Sequence, residues 1–236
     1  MGPIEELETP VRLTRSFMMA ATEITQAQWE ALGFPNPSRI IGDDTPVVFI
    51  NFFEAAAWCN KLSLLGGLDT CYDLTTCSGE VGGGYELGAP KSDEKSMKDE
   101  ESVFHCGSAI RKYGDIYSCP GYRLPSTVEW EYAAKAGTTT NTYGGDIHAD
   151  VDGCTEQPAL EDIAWYCNNS GGTLHPVAQK QPNDWGLYDM LGNAYEMADF
   201  NALGQSIRDY MQPGEDILVD PAGPEPNEQM DMRGGK

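Results

Sequence analysis

The stretch "GLYDMLGNAYEM", residues 186–197, sets two acids, Asp189 and Glu196, seven positions apart around a Gly192–Asn193 turn. Hard cations such as calcium take several oxygen ligands, commonly mixing carboxylates with main-chain carbonyls exposed where glycine lets the chain turn. That is the chemistry this spacing offers; the competing reading is a Glu196 that pairs with a base in the core. Soft-metal chemistry is poorly served. The seven cysteines, Cys59, Cys71, Cys77, Cys106, Cys119, Cys154 and Cys167, include neither the CxxC pairs of a zinc site nor a redox motif. The three histidines, His105, His148 and His175, lack ligand spacing, and each reads as a surface or core residue. There is no G-x-S-x-G, no H-E-x-x-H and no cysteine with a persuasive base. Among 37 acids a glycosidase pair cannot be chosen without geometry.

Six of the cysteines fall in loops or loop edges, whereas Cys59 sits inside a helical pattern with Phe52, Ala55 and Ala56 on one face. It therefore reads as core packing. Three bridges among Cys71, Cys77, Cys106, Cys119, Cys154 and Cys167 plus one buried thiol account for the odd total and point to an oxidising, extracytoplasmic or secreted setting. Cys154 and Cys167 are expected to pair across "TEQPALEDIAWY"; the other connections stay open. Net charge is −22, from 37 acids against 15 bases, which argues against a nucleic-acid partner. Most of that acidity reads as a solubilising surface. No apolar run approaches the ~18 residues of a membrane span. The N-terminal "GPIEELETPVRLTRSF" lacks the basic-then-apolar order of a signal peptide, but a mature start looks the same, so the compartment is not settled there.

The elements that must position these residues are legible mainly at helix starts. Thr25 with Gln28, Asn51 with Glu54, and Ser126 with Glu129 are capping boxes opening "TQAQWEAL", "NFFEAAAWCNKLS" and "STVEWEYAAKAG", the last closing at Gly137. Periodicity places Val128, Tyr132 and Ala136 toward the core. Arg123, Glu129 and Glu131 read as structural, and Trp185 as a loop anchor. "VRLTRSFMMAATEIT" and "PVVFIN" read as short strands. Residues 64–119 form a long excursion holding four cysteines, expected to be an insertion pinned by cross-links. With 26 glycines and 15 prolines, 236 residues make one domain with much irregular backbone.

In order, "ATEITQAQWEAL", "PVVFINFFEAAAWCNKLS", "YRLPSTVEWEYAAKAG", "WGLYDMLGNAYEM" and "MRGG" resemble the successive signatures of the formylglycine-generating enzyme, or sulfatase-modifying-factor, family. The resemblance implies an α+β variant of the C-type-lectin-like fold, low in regular structure, with three main capped helices and short strands, as a single domain over residues 1–236. It implies a calcium held by the Asp189 side chain, the carbonyls of Gly192 and Ala194, and Glu196. A second calcium site of relatives has no secure counterpart. The family's copper(I) pair of cysteines follows the "RGG" strand, and this chain stops at "RGGK", so that part of the fold is expected to lie beyond 236. The iron-binding sulfoxide-synthase branch needs H-x-x-x-H-x-E, which does not occur here. Two functions follow: a non-catalytic, calcium-stabilised binding or assembly module for a protein or glycan, with no catalytic residues; or a copper-dependent oxidase of a protein cysteine whose catalytic segment is absent from this chain.

Overall fold

The computed structural model describes residues 10–82, 103–107, 110–147, 154–199, 216–221 and 231–234, and the statements below concern these. Three helices begin where the local chemistry says they should. For α1 (Gln26–Ala31) the Gln28 N–H donates to Thr25 Oγ1 at 3.2 Å and the Thr25 N–H donates back to Gln28 Oε1 at 3.0 Å. Asn51 and Glu54 close the same reciprocal pair at the start of α2 (Phe52–Leu65), and Ser126 and Glu129 at α3 (Thr127–Lys135). Each cap satisfies two amide donors that a helix start leaves open, which is worth ~1 kcal/mol apiece. A fourth helix, α4 (Pro158–Glu161), is a single turn opened by proline.

α2 is buried almost all round. Phe52, Phe53, Ala56, Trp58 and Cys59 join Trp29, Val47, Tyr72 and Ile110 in the main core, with Phe52 edge-on to Tyr72 at 5.9 Å. Cys59 is therefore a packing residue, and its thiol is pushed up to about 12, chiefly by burial. On α3 the buried face is set by Thr127, Trp130, Ala133 and Ala134, with Val128 and Ala136 also inside. Tyr132 was expected there too, but it shares its side of the helix with Glu131 and Lys135 and is 53% exposed. Its ring leans on Trp185 at 4.9 Å instead.

Strands are two or three residues long. β1 (Val11–Arg12) pairs in parallel with β5 (Leu218–Val219), β2 (Cys77–Ser78) antiparallel with β3 (His105–Cys106), and β4 (Glu196–Ala198) antiparallel with β6 (Asp231–Arg233). "PVVFIN" is not a strand: Val47 N–H bonds to the Ile24 carbonyl, but Phe49 at φ 63° turns the chain out of the extended form. Within residues 64–119, α2 extends to Leu65, and disulfides Cys71–Cys119 and Cys77–Cys106 are nested one inside the other. Residues 83–102, 108 and 109 of that segment lie outside the described residues. The third disulfide joins Cys154 to Cys167. A buried ion pair ties the cross-linked segment to the strand region: Arg111 Nη2 donates to Asp199 Oδ1 at 2.8 Å, and the Tyr72 hydroxyl donates to Asp199 Oδ2 at 3.3 Å.

Candidate cation site

The turn between Asp189 and Glu196 is held in a conformation that most residues avoid. Asp189 (φ 54°), Asn193 (φ 50°) and the neighbouring Ala178 (φ 59°) are three of the six non-glycine residues with positive φ among those described. Such conformations cost about 1–3 kcal/mol each and cluster where a structure needs a particular backbone presentation. Gly192 (φ 85°) admits no alternative, since a Cβ there would meet the Trp165 carbonyl oxygen at 2.1 Å.

Surrounding segments fix each peptide of the turn. The Asn193 N–H donates to the Trp165 carbonyl at 2.7 Å, so the Gly192 carbonyl of the same trans peptide points away from Trp165. The Gly192 N–H donates to the Gly234 carbonyl at 2.6 Å. The Ala194 N–H donates to Glu23 Oε1 at 2.8 Å, and the Asn193 amide donates to Glu23 Oε2 at 2.9 Å. The Ala178 N–H donates to Asp189 Oδ2 at 2.7 Å. The other oxygen, Asp189 Oδ1, is buried and has no hydrogen-bond partner.

Across the turn, β6 brings Gly234 over Glu196. A Cβ at Gly234 would stand 3.4 Å from Glu196 Oε1 and 3.5 Å from the carbonyl oxygens of both Ala194 and Met190. Three oxygens thus converge around the place a side chain at position 234 would occupy. Glu196 Oε2 accepts from the Trp130 indole at 3.1 Å. Burial lifts Glu196 to about 7, with the charge of Asp189 adding to the lift and the indole bond opposing it. Burial likewise raises Asp189. Glu23, raised by burial to about 9, feels both neighbours. An orphaned carboxylate oxygen, carbonyl oxygens and carboxylates made costly to ionise are the kinds of oxygen donor a hard cation takes. Among the described residues no three His, Cys, Asp or Glu side chains gather as a metal group. A cation here would therefore rest on at most two carboxylates completed by carbonyls.

The structure brings the Ala194 carbonyl and Glu196 to one place, with Asp189 close enough for its charge to act on Glu196 and Gly192 at the turn between them. Sequence reading missed Met190, Gly234, Ala178 and Glu23. The first contributes only a main-chain oxygen, Ala178 only a main-chain N–H, and Gly234 and Glu23 lie far away along the chain. His105 Nδ1 lies 2.9 Å from the Val103 carbonyl, and His175 Nε2 the same distance from that of Ser170, its ring stacked on Trp165 at 3.7 Å. His148 lies outside the described residues. Arg123 grips Glu129 with two bonds of 2.8 Å, the structural role read from sequence.

Comparison with known proteins decides the family: residues 5–201 match the sulfatase-modifying factor enzyme 1-like domain. The chain belongs to this family. Its fold is that of formylglycine-generating-enzyme-like proteins, a mixed α and β arrangement with few helices and short strands. Among curated members, it is 28% identical over 188 residues to the Chaperone protein LppX of Paenibacillus barcinonensis, covering 76% of this chain and 60% of that protein. It is 38% identical over 80 residues to the formylglycine-generating enzyme of Mycobacterium tuberculosis, covering 32% of this chain and 26% of that enzyme. The chain thus spans less than two thirds of the length of these relatives. Among solved structures it is similar to Treponema denticola variable protein 1, with a TM-score of 0.61 and 29% identity over 90% of this chain and 70% of that one. No helix among the described residues is long and apolar enough to cross a membrane.

Proposed function

We propose that this chain is a non-catalytic member of its family: a binding or assembly module whose Asp189–Glu196 turn is set by calcium, and which presents its surface to a protein or glycan partner outside the cytoplasm. The observation that carries the reading is the buried, unpartnered Asp189 Oδ1, whose carboxylate is near enough to Glu196 for its charge to raise that group, while oxygens of Glu196, Ala194 and Met190 converge under Gly234. Calcium would be held by Asp189, the carbonyls of Gly192 and Ala194, and Glu196, with the Met190 carbonyl turned to the same place. It would supply positive charge to carboxylates that burial otherwise keeps protonated. The chain's residues do the rest: Ala178 orients Asp189, Trp130 orients Glu196, and Gly234 leaves the opening.

The non-catalytic part rests on the thiols. All seven cysteines are accounted for by three disulfides and the buried Cys59, so none of them supplies a pair of thiolates for copper. Three disulfides also suit an oxidising compartment. A relative named as a chaperone protein supports a binding role. Similarity to a formylglycine-generating enzyme favours the second reading, in which this chain is the scaffold part of a copper-dependent oxidase whose cysteine pair lies outside these residues.

Thermal unfolding in calcium and in chelator tests the site. Calcium at about a hundredfold above its Kd is expected to stabilise the chain by ~3 kcal/mol, and to do nothing for an Asp189→Ala, Glu196→Ala double variant. Equal melting in calcium and chelator, or an unchanged shift in the double variant, removes the site from Asp189 and Glu196.

A further inference from the structure

Glu23 reaches the cation turn from 171 residues away, and it does so with both oxygens. Oε1 accepts the N–H of Ala194, and Oε2 accepts the side-chain amide of Asn193. The same Asn193 side chain is committed elsewhere: its Oδ1 accepts the His175 N–H at 3.0 Å, and its amide also donates to the His175 carbonyl at 3.2 Å. Its orientation is thus fixed by a main-chain donor and acceptor together, so it cannot flip to suit a different partner at Glu23. Glu23 is 7% exposed and Asn193 8% exposed.

We infer that Glu23 is the positioning residue of the cation site: by pinning Asn193 and the N–H of Ala194 it fixes the turn so that the carbonyls on either side of Asn193, those of Gly192 and Ala194, stand ready for the ion. The turn needs such a device. Asn193 at φ 50° and Gly192 at φ 85° are a costly pair of conformations, and within the turn Glu23 is what holds the Asn193 side chain and the Ala194 amide at once. The neighbouring peptide is fixed separately, by the Trp165 carbonyl. Both oxygens of Glu23 accept from the turn. Groups that orient metal ligands in this way commonly set affinity as strongly as the ligands do. The segment carrying Glu23 is tied down nearby, through the Tyr188 N–H on the Ala21 carbonyl at 2.8 Å and the Val47 N–H on the Ile24 carbonyl at 2.9 Å, so the carboxylate approaches from a fixed base.

This inference rests on the calcium reading above, and the test separates the two. Glu23→Gln keeps the size and one acceptor, but its amide meets the Asn193 amide donor to donor. Glu23→Gln combined with Asn193→Asp swaps donor and acceptor across the same contact and restores that bond, at the cost of the Asn193 amide's bond to the His175 carbonyl. Calcium affinity is measured by titration calorimetry on the full chain, and unfolding is measured in chelator alongside. Glu23→Gln is expected to weaken calcium binding by about tenfold or more, the range seen when an orienting partner of a metal ligand is lost. The double variant is expected to recover part of that loss, which a merely structural role at Glu23 does not require. A folded Glu23→Gln that binds calcium like the parent overturns the inference while leaving the site intact, as does a double variant no tighter than the single. A parent chain that takes up no calcium overturns both readings at once. Should Glu23→Gln fail to fold in chelator, Asn193→Gly takes its place: it removes the amide through which Glu23 grips the turn and keeps a residue at ease at positive φ, and the same weakening or its absence decides.

Discussion

Gly234 lies over Glu196: a Cβ on the glycine would stand 3.4 Å from Glu196 Oε1 and 3.5 Å from the carbonyl oxygens of Ala194 and Met190. The pairing Glu196↔Arg233 at the end of β4 and β6 brings the two together across the chain. Gly234→Ala is therefore expected to abolish calcium binding by placing a methyl group among the ligands. It should also cost ~1–2 kcal/mol in chelator through its φ of 81°. Calorimetry and unfolding of the variant check both halves; calcium affinity equal to the parent's would place the ion elsewhere.

The buried carboxylates give stability a pH dependence of defined sign. Glu196 at about 7 and Glu23 at about 9 both lie above the 4.5 they start from. Between those limits the folded chain binds more protons than the unfolded chain, so stability in chelator falls as pH rises from about 4.5 through 7 toward 9. Calcium offsets the charge and flattens the fall. Glu196→Gln, neutral at every pH, should show a shallower fall in chelator than the parent. Urea unfolding at pH 5, 7 and 9 decides it, and identical slopes for the two proteins would refute the assignment.

How much of this was legible beforehand follows from range. Capping boxes at Thr25, Asn51 and Ser126 need only four consecutive residues, and each was readable and is formed. The Asp189–Glu196 turn was readable for the same reason. Strands of two or three residues carry no period to detect, and Phe49 breaks the one apolar run that suggested a strand. Tyr132 was misplaced because a helix of 9 residues buries its first turn nearly all round, which blurs the stripe. Glu23 with Ala194 and Arg111 with Asp199 are 171 and 88 positions apart, and no local pattern joins them.

The Arg111–Asp199 pair should be costly to break. Its side chains are 4% and 1% exposed, and Asp199 also accepts from Tyr72. Burial raises Asp199, while Arg111 opposes that rise. Arg111→Met leaves a carboxylate buried without its cation, and a loss of ~3–5 kcal/mol is expected in denaturant unfolding. Asp199→Asn with Arg111→Met should recover part of it, because no buried charge is then stranded; a single variant within ~1 kcal/mol of the parent would show that the pair contributes little.

Nesting of the disulfides sets what each is worth. Cys71–Cys119 spans 48 positions, but Cys77–Cys106 already ties off the middle of that loop. With the inner bridge intact only ~20 residues are newly closed, so Cys71→Ala with Cys119→Ala should cost about 3 kcal/mol from loop entropy, close to the ~3 kcal/mol for Cys154 with Cys167 at a separation of 13. Breaking the inner bridge as well should cost more than breaking either alone but less than the sum of the two full-length loops, because the inner bridge shortens the loop that the outer one closes. Unfolding of the three paired-alanine variants measures this, and a Cys71–Cys119 cost well above the Cys154–Cys167 cost would mean that the inner bridge is not formed.

The last expectation concerns chemistry: these 236 residues, supplied with copper(I) and a Cys-x-Pro-x-Arg peptide, should yield no aldehyde above a metal-only control. Copper(I) needs soft thiolate ligands brought together at an accessible place. Six of the cysteines are bonded to one another, and none of the three bridges leaves a thiolate. Cys59 is 7% exposed, and burial with the nearby charge of Asp199 holds its thiol at about 12. Burial thus keeps that thiol protonated, and Cys59 lies in the main core with Phe52 and Tyr72. Mass spectrometry of the peptide reads the outcome directly. Turnover above the control that survives Cys59→Ala would show that a bridged pair opens under copper(I), and turnover abolished by it would make Cys59 the ligand; in either case the binding-module reading fails.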